Sequence, residues 1–467
     1  MTLNALHLEV PDILEDDATS LADLNEQLLA ARLQPHEQAL LTVLSLLMQL
    51  NRCAMTLLER QRALQSLSEE YRHYVAAYRD GQTAPMLFVR LCEELASGFK
   101  RLLLQMLQGR QPSRPHLAWC LYLAQHFLAQ TLLRHYQLYK EPSPSLWRDS
   151  HLLYWIGEQQ ACLDEPVAAA FQPPPATTLR GLYQQMLLLA LSDPFHMAEG
   201  ECPQLFGALA PLASLARLLP WEEDDEGLTV DLSESQPCLT FDQRPEGAAT
   251  VLRRFELGAL LIALYEPAPL QTPAQRQLLE RVRPHWLGRQ QRRHARAHLA
   301  GDCRLVIGLH GIHAQLLEQR PGSCAAQMLD ASAGGARLLC NSDQGGQLPV
   351  GQLVLLLAAS GTPSLALVRW RHQNSEGLHL GLRYLKGLPR PVWLRRTPSA
   401  QTHPGVLQST PVLGNTWHHG LWLPTGQFVE GESLWLQLVS VSNQATLILP
   451  PVNMETASVV RYPLRLA

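Results

Sequence analysis

"SLALVRWRHQNSEGLHLGLRYL", residues 364–385, reads as two runs of near-alternating apolar and polar residues around the turn signal Asn374-Ser375-Glu376-Gly377. A period of two places successive side chains on opposite faces of a sheet, whereas a helix needs apolar residues at spacings of three and four. Upstream lie "CRLVIGL", "AQMLDAS", "GARLLC" and "QLVLLLAA", separated by breaks such as "PGS" and "SGTPS". Many short strands with close turns predict a small antiparallel barrel, assigned here to residues 286–392. Residues 393–467 form a second strand-rich region containing "GLWLP", "SLWLQLVSV", "ATLILPP" and "SVVRYPLRL". The pattern leaves open whether these strands make a second barrel or complete the first.

Toward the N-terminus the period changes. Over residues 26–220 apolar residues recur at spacings of three and four, as in "HEQALLTVLSLLMQLNRCAMTLLERQRALQSL" after Pro35 and in "HLAWCLYLAQHFLAQTLLRHYQLY". Short breaks such as "GRQPSRP", "KEPSPS" and "FQPPPATT" favour antiparallel neighbours, so this region is expected to be a helical bundle or an irregular helical repeat. No clean tetratricopeptide period is present. Residues 1–25 read as an extended acidic arm. Residues 221–285 read as a small hairpin over "LTVDLSESQPCLTFD" plus connecting helices over "AATVLRRFELGALLIAL" and "TPAQRQLLERVRPHWL". The fold class is therefore α+β and multi-domain, with an all-α N-terminal region followed by an antiparallel β-barrel.

Composition narrows the function. A chain of 467 residues exceeds one ordinary core, and 46% hydrophobic against 17% charged residues fits a well-buried globular protein. A net charge of −4 argues against a dedicated nucleic-acid binder, and the scattered cysteines read as reduced core residues. The apolar stretch "ALLTVLSLLMQL" (39–50) is too short to span a bilayer, and "MTLNALHLEVPDILEDDATS" lacks the pattern of a signal peptide, so a cytoplasmic protein without membrane insertion is expected. No phosphate loop, GxSxG, HExxH or glycine-rich dinucleotide loop is present, which argues against an enzyme. The acids at 222–225 read as a solvated loop, and His418–His419 as a turn or barrel-rim feature.

One stretch stands apart. "RQQRRHARAH" (289–298) holds four arginines and two histidines with no acid. Arg292 and Arg296 form RxxxR immediately before the first barrel strand. Asp330, Ser332 and Gly335 form DxSxxG within "DASAGG", with Asp330 34 positions after Arg296 and at a strand-to-turn junction. RxxxR alone says little; joined to DxSxxG within a run of short strands it is a specific pair. His294 and His298, spaced i,i+4, raise a zinc alternative if they share a helix face, although no third ligand is apparent and the arginines would repel a cation. An acidic protein partner or nucleic acid is the other alternative for the arginines.

These residues resemble the PilZ family of bacterial cyclic-di-GMP receptors over about 286–390. "ALVRWRH" (366–372) and "LHLGLRYL" (378–385) are similar to that family's paired late strands. The resemblance implies a six-stranded barrel whose N-terminal arginine segment folds over the dinucleotide. It further implies that ligand binding orders this segment and reorients a helical platform that displays a protein-partner surface. Multi-domain members of that family are associated with motility, type IV pili, surface attachment and exopolysaccharide control, so the resemblance implies a class of process. The added stretch "LHGIHAQLLEQRPGS" between the two motifs predicts a longer first hairpin or a short inserted helix.

The residue types suit that ligand. Arginine forks onto phosphate, stacks on a purine, or meets guanine O6 and N7 in plane, and the cluster contains no lysine. Arg292 and Arg296 lead, with Arg289 and Arg293 in support. Asp330 accepts from guanine N1–H and N2–H₂, Ser332 adds a hydroxyl, and Gly334 and Gly335 are expected to allow positive φ and close approach of the base. No cofactor or metal is called for.

Overall fold

The computed structural model describes residues 8–14, 21–79, 84–109, 112–168, 176–222, 227–239, 248–265, 272–288, 295, 297–319, 322–358, 362–412, 416–439 and 444–464. The chain divides into two compact units, one of Met1–Pro194 with Gly200–Gln290 and one of Phe195–Glu199 with Gln291–Ala467.

The first unit is helical. Its helices are α1 (Leu21–Ala31), α2 (His36–Arg52), α3 (Leu57–Arg79), α4 (Pro85–Gln108), α5 (Arg114–Gln137), α6 (Pro144–Gln159), α7 (Leu179–Leu191), α8 (Glu201–Leu209), α9 (Gly258–Ala263) and α10 (Pro273–Trp286). Proline in the first turn of α4, α5, α6 and α10 costs no intrahelical bond there. Thr272 closes a capping box with Gln275 at the start of α10. Helix α5 is buried on every side from Cys120 to Arg134, which makes it the central helix, packed against α4, α6, α7 and α8. Polar groups taken into this core are answered individually. Buried Arg60 donates to the carbonyls of Leu50 and Cys53 at 2.8 Å and to Gln105 Oε1 at 3.0 Å. Lys100 pairs with Asp149, and together they bracket the main chain of Glu9.

The structure corrects several boundaries. The acidic arm ends earlier than residue 25, because Leu21–Ala31 is helical, with Leu24 and Leu28 buried one turn apart. The segment read as helical from 248 holds strand β3 (Leu252–Glu256), which lies between β1 (Arg217–Pro220) and β2 (Thr229–Asp231). The spacing of Val251, Leu252, Phe255 and Leu257 suits either period, and pairing on both sides decides for the strand. Trp286 belongs to the helical unit and not to the barrel, since its buried indole N–H reaches Ser192 Oγ at 3.0 Å.

The second unit holds a closed barrel of β4 (Ala297–Ile307), β5 (Cys324–Ser332), β6 (Gly335–Cys340), β7 (Leu353–Ala358), β8 (Ser364–Asn374) and β9 (Gly377–Tyr384), in the order β4-β5-β6-β9-β8-β7. Residues 303–307 of β4 close the ring onto 354–358 of β7. The stretch between β4 and β5 forms helix α11 (Gly308–Leu316). The barrel ends at Tyr384 and not at 392. After Gly387, at φ +115°, β10 (Leu388–Arg395) enters a separate seven-stranded sheet with β11 (His403–Val412), β12 (Thr416–Pro424), β13 (Ser433–Leu438), β14 (Gln444–Ile448), β15 (Met454–Glu455) and β16 (Val459–Leu464). The C-terminal strands therefore form their own sheet instead of completing the barrel. His418 and His419 lie inside β12 and not in a turn.

Buried His151 links α6 to the rest of the helical core, with Nδ1 2.6 Å from the Tyr183 hydroxyl and Nε2 2.9 Å from the Gln236 carbonyl. The carbonyl requires a donor, so Nε2 carries the proton and Nδ1 accepts from tyrosine. Burial lowers its pKa from the ordinary 6.5 to about 4, and that of His126 to about 3. The unfolded chain therefore binds more protons below pH 6.5, and stability is lost as pH falls from there toward 4. Thermal melts between pH 7 and pH 4 should show a falling Tm, and His151→Gln should lower Tm at pH 7 while reducing the slope.

Candidate functional site

The candidate site is built where the first ends of β4 and β6 meet the last residues of β5. Ala297 lies opposite Ala331 and His298 opposite Asp330 on one side, while Asp330 faces Arg337 and Ser332 faces Gly335 on the other. Met328 is buried in the barrel core and Ala331 packs against it, three residues apart, a spacing that strict alternation forbids. A bulge between Met328 and Asp330 supplies the extra residue and turns Asp330 and Ser332 to the outer face.

Hydrogen bonds fix the turn. Gly334 N–H donates to Ser332 Oγ at 3.2 Å, Ser332 Oγ donates to the Gly335 carbonyl at 3.3 Å, and Tyr384 N–H donates to the Gly334 carbonyl at 3.0 Å. The serine hydroxyl keeps one acceptor lone pair for a ligand. Neither Gly334 nor Gly335 has positive φ, contrary to expectation. Gly335 is required for another reason. A Cβ there would lie 1.9 Å from the Leu382 carbonyl oxygen of β9, so only glycine lets the two strands approach.

Register extends the site across the outer wall. Ala336 and Leu338 face the core, which leaves Arg337 outside, and Leu380 and Leu382 do the same for Gly381. One cross-strand row therefore runs His298, Asp330, Arg337, Gly381, Trp370. The Trp370 indole lies against Gly381, where a Cβ would fall 1.9 Å from its Nε1. Arg337 is half-buried, and its Nη2 contacts His379 Nδ1 at 3.3 Å. His379 is buried and lies 3.2 Å from Glu376; burial first, then the charge of Arg337, pushes its pKa down.

The structure thus brings together Asp330, Ser332, Gly334 and Gly335. Arg289, Arg292, Arg293 and Arg296 lie outside the described residues, as does His294. His298 is in a strand, so the shared helix face behind the zinc alternative does not exist. Among the described residues no group of His, Cys, Asp or Glu is placed to hold a metal ion. Sequence reasoning missed Arg337, although the alternation Gly335-Ala336-Arg337 on β6 puts it on the same face as the turn glycine.

A small closed barrel with a polar turn on its outer wall, joined in one chain to a helical region, defines a modular protein. Residues 21–223 match the family model described as the N-terminal domain of the cyclic-di-GMP receptor FimW. That match covers helices α1–α8 and ends before the barrel. No curated protein matches the chain.

Substituting Gly335→Ala should force β6 from β9 and destabilise the protein by about 1–3 kcal/mol or more, as insertion of an unaccommodated carbon does elsewhere. A denaturant midpoint equal to that of the parent chain would contradict the tight β6–β9 approach.

Proposed function

We propose that the chain is a cyclic-di-GMP receptor whose barrel binds the nucleotide through Arg292, Arg296, Asp330, Ser332 and Gly335, with Arg289, Arg293 and Gly334 in support. One observation carries this reading: Ala297, the residue after Arg296, pairs with Ala331 between Asp330 and Ser332. The first paired residue of β4 thus stands beside the aspartate–serine turn. The match of the helical region to the N-terminal domain of a cyclic-di-GMP receptor supports the same ligand from a different part of the chain.

The chemistry is complementary. Two phosphates and two guanine Hoogsteen edges suit arginine, and Asp330 takes the N1–H and N2–H₂ donors that adenine lacks. Ligand binding draws the arginine segment onto the turn and, through it, changes what the helical region offers to a protein partner. In this reading the protein is a receptor and not an enzyme. It acts in the cytoplasm on motility, type IV pili or surface attachment. Among the described residues no helix is long and apolar enough to cross a membrane.

Titration calorimetry at physiological salt tests the proposal. Cyclic-di-GMP should bind with a micromolar Kd, about −8 kcal/mol, and Arg296→Ala and Asp330→Ala should each weaken binding at least about tenfold. Absence of heat would overturn the receptor reading in favour of a nucleotide-independent adaptor whose arginines meet an acidic partner. Steep salt dependence without preference for guanine would point to nucleic acid instead.

A further inference from the structure

Resting on the receptor reading, we propose that Arg337 is a specificity-determining residue that reads guanine O6 from the strand beside Asp330. The two residues are direct cross-strand partners on the outer face of β5 and β6. Side chains so placed lie about 5 Å apart at their Cβ atoms, within reach of neighbouring atoms on one base edge.

That edge presents N2–H₂, N1–H and O6 in sequence. A carboxylate at Asp330 answers the first two, which are donors. O6 has a second lone pair on the N1 side, away from the Hoogsteen edge, and left without a donor there in a partly dehydrated site it would cost binding free energy. Arg337 supplies the donor from the adjoining strand. Among the described residues the guanidinium makes one hydrogen-bond contact, the 3.3 Å approach of Nη2 to His379; Nε is buried and unanswered, and Nη1 is the donor left to face a ligand. A half-buried guanidinium with a donor still unanswered is poised for an acceptor that the protein does not provide. Gly381, next in the row, adds no side chain over the guanidinium, and the Trp370 indole lies beyond it. Asp330 and Arg337 together form an acceptor–donor pair in the order that guanine demands and adenine reverses.

The test uses the full chain with three cyclic dinucleotides: cyclic-di-GMP, cyclic-di-IMP, which keeps O6 but lacks the N2 amino group, and cyclic-di-AMP, which carries an amino group in place of O6. Arg337→Ala should weaken cyclic-di-GMP and cyclic-di-IMP by the same factor, about tenfold, and leave weak cyclic-di-AMP binding unchanged. Asp330→Ala should weaken cyclic-di-GMP more than cyclic-di-IMP. Arg337→Lys keeps the charge but loses the planar fork, and should recover only part of the loss. Equal weakening of all three ligands by Arg337→Ala, or full recovery with lysine, would overturn the proposal and leave Arg337 a structural or purely electrostatic group. Failure of the parent chain to bind cyclic-di-GMP would instead sink the receptor reading itself.

Discussion

Closure of β7 onto β4 is the constraint from which the rest of the second unit follows. An open six-stranded sheet would present two unpaired edges, and the pairing of Cys303–Ile307 with Val354–Ala358 removes both. Closure at six strands leaves a narrow interior, in which the small side chains of Cys303, Cys324, Cys340, Ala326, Ala336 and Ala366 sit among larger Leu, Val and Met residues. Burial pushes the Cys303 thiol up to about 11 and Cys340 to about 12, so these cysteines are protonated packing groups and not nucleophiles. Because β4 pairs with β7 at its far end and with β5 along its length, its near end is held opposite Asp330–Ala331.

Helix α11 ties the barrel to the second sheet. Leu309 and Ile312 pack in one core with Val306, Leu353 and Leu355 of the barrel and with Val406, Trp422 and Val459 of the sheet. Buried His313 reaches the Val392 carbonyl at 3.1 Å, and its ring meets Trp393 edge-on at 4.4 Å. The inserted stretch that separates the two sequence motifs is thus one of the elements that join the two sheets.

Much of this was legible in the sequence where local pattern and local structure coincide. The alternation in 364–385 is the β8–β9 pair, the three-and-four spacing from residue 36 onward is α2–α8, and "DASAGG" is the β5–β6 turn. What escaped depended on partners distant in sequence. β3 is a strand because β1 and β2 flank it, β10 belongs to the second sheet because β11 and β13 pair with it, and neither relation leaves a mark within five to eight residues. The reason for Gly335 was misread for the same cause: the atom that excludes a side chain is the carbonyl of Leu382, 47 positions away. Arg337 lies outside the motif, and its cross-strand partners Asp330 and Gly381 come from other strands.

The rigidity of the turn bears on how a receptor of this design would signal. A ligand shifts a conformational equilibrium only by the difference in its affinity for the two states. The Asp330–Gly335 turn is locked by its own hydrogen bonds and by Tyr384 N–H on the Gly334 carbonyl, so its contacts with a guanine would be much the same in either state. In the proposed reading such a preformed surface would contribute affinity and guanine selectivity but little discrimination between states. In the proposed receptor reading the differential term must then come from contacts made outside this turn. In that reading a carboxylate and a serine gain from standing on a closed sheet, because selectivity needs a rigid frame, whereas a switch needs contacts made in only one state.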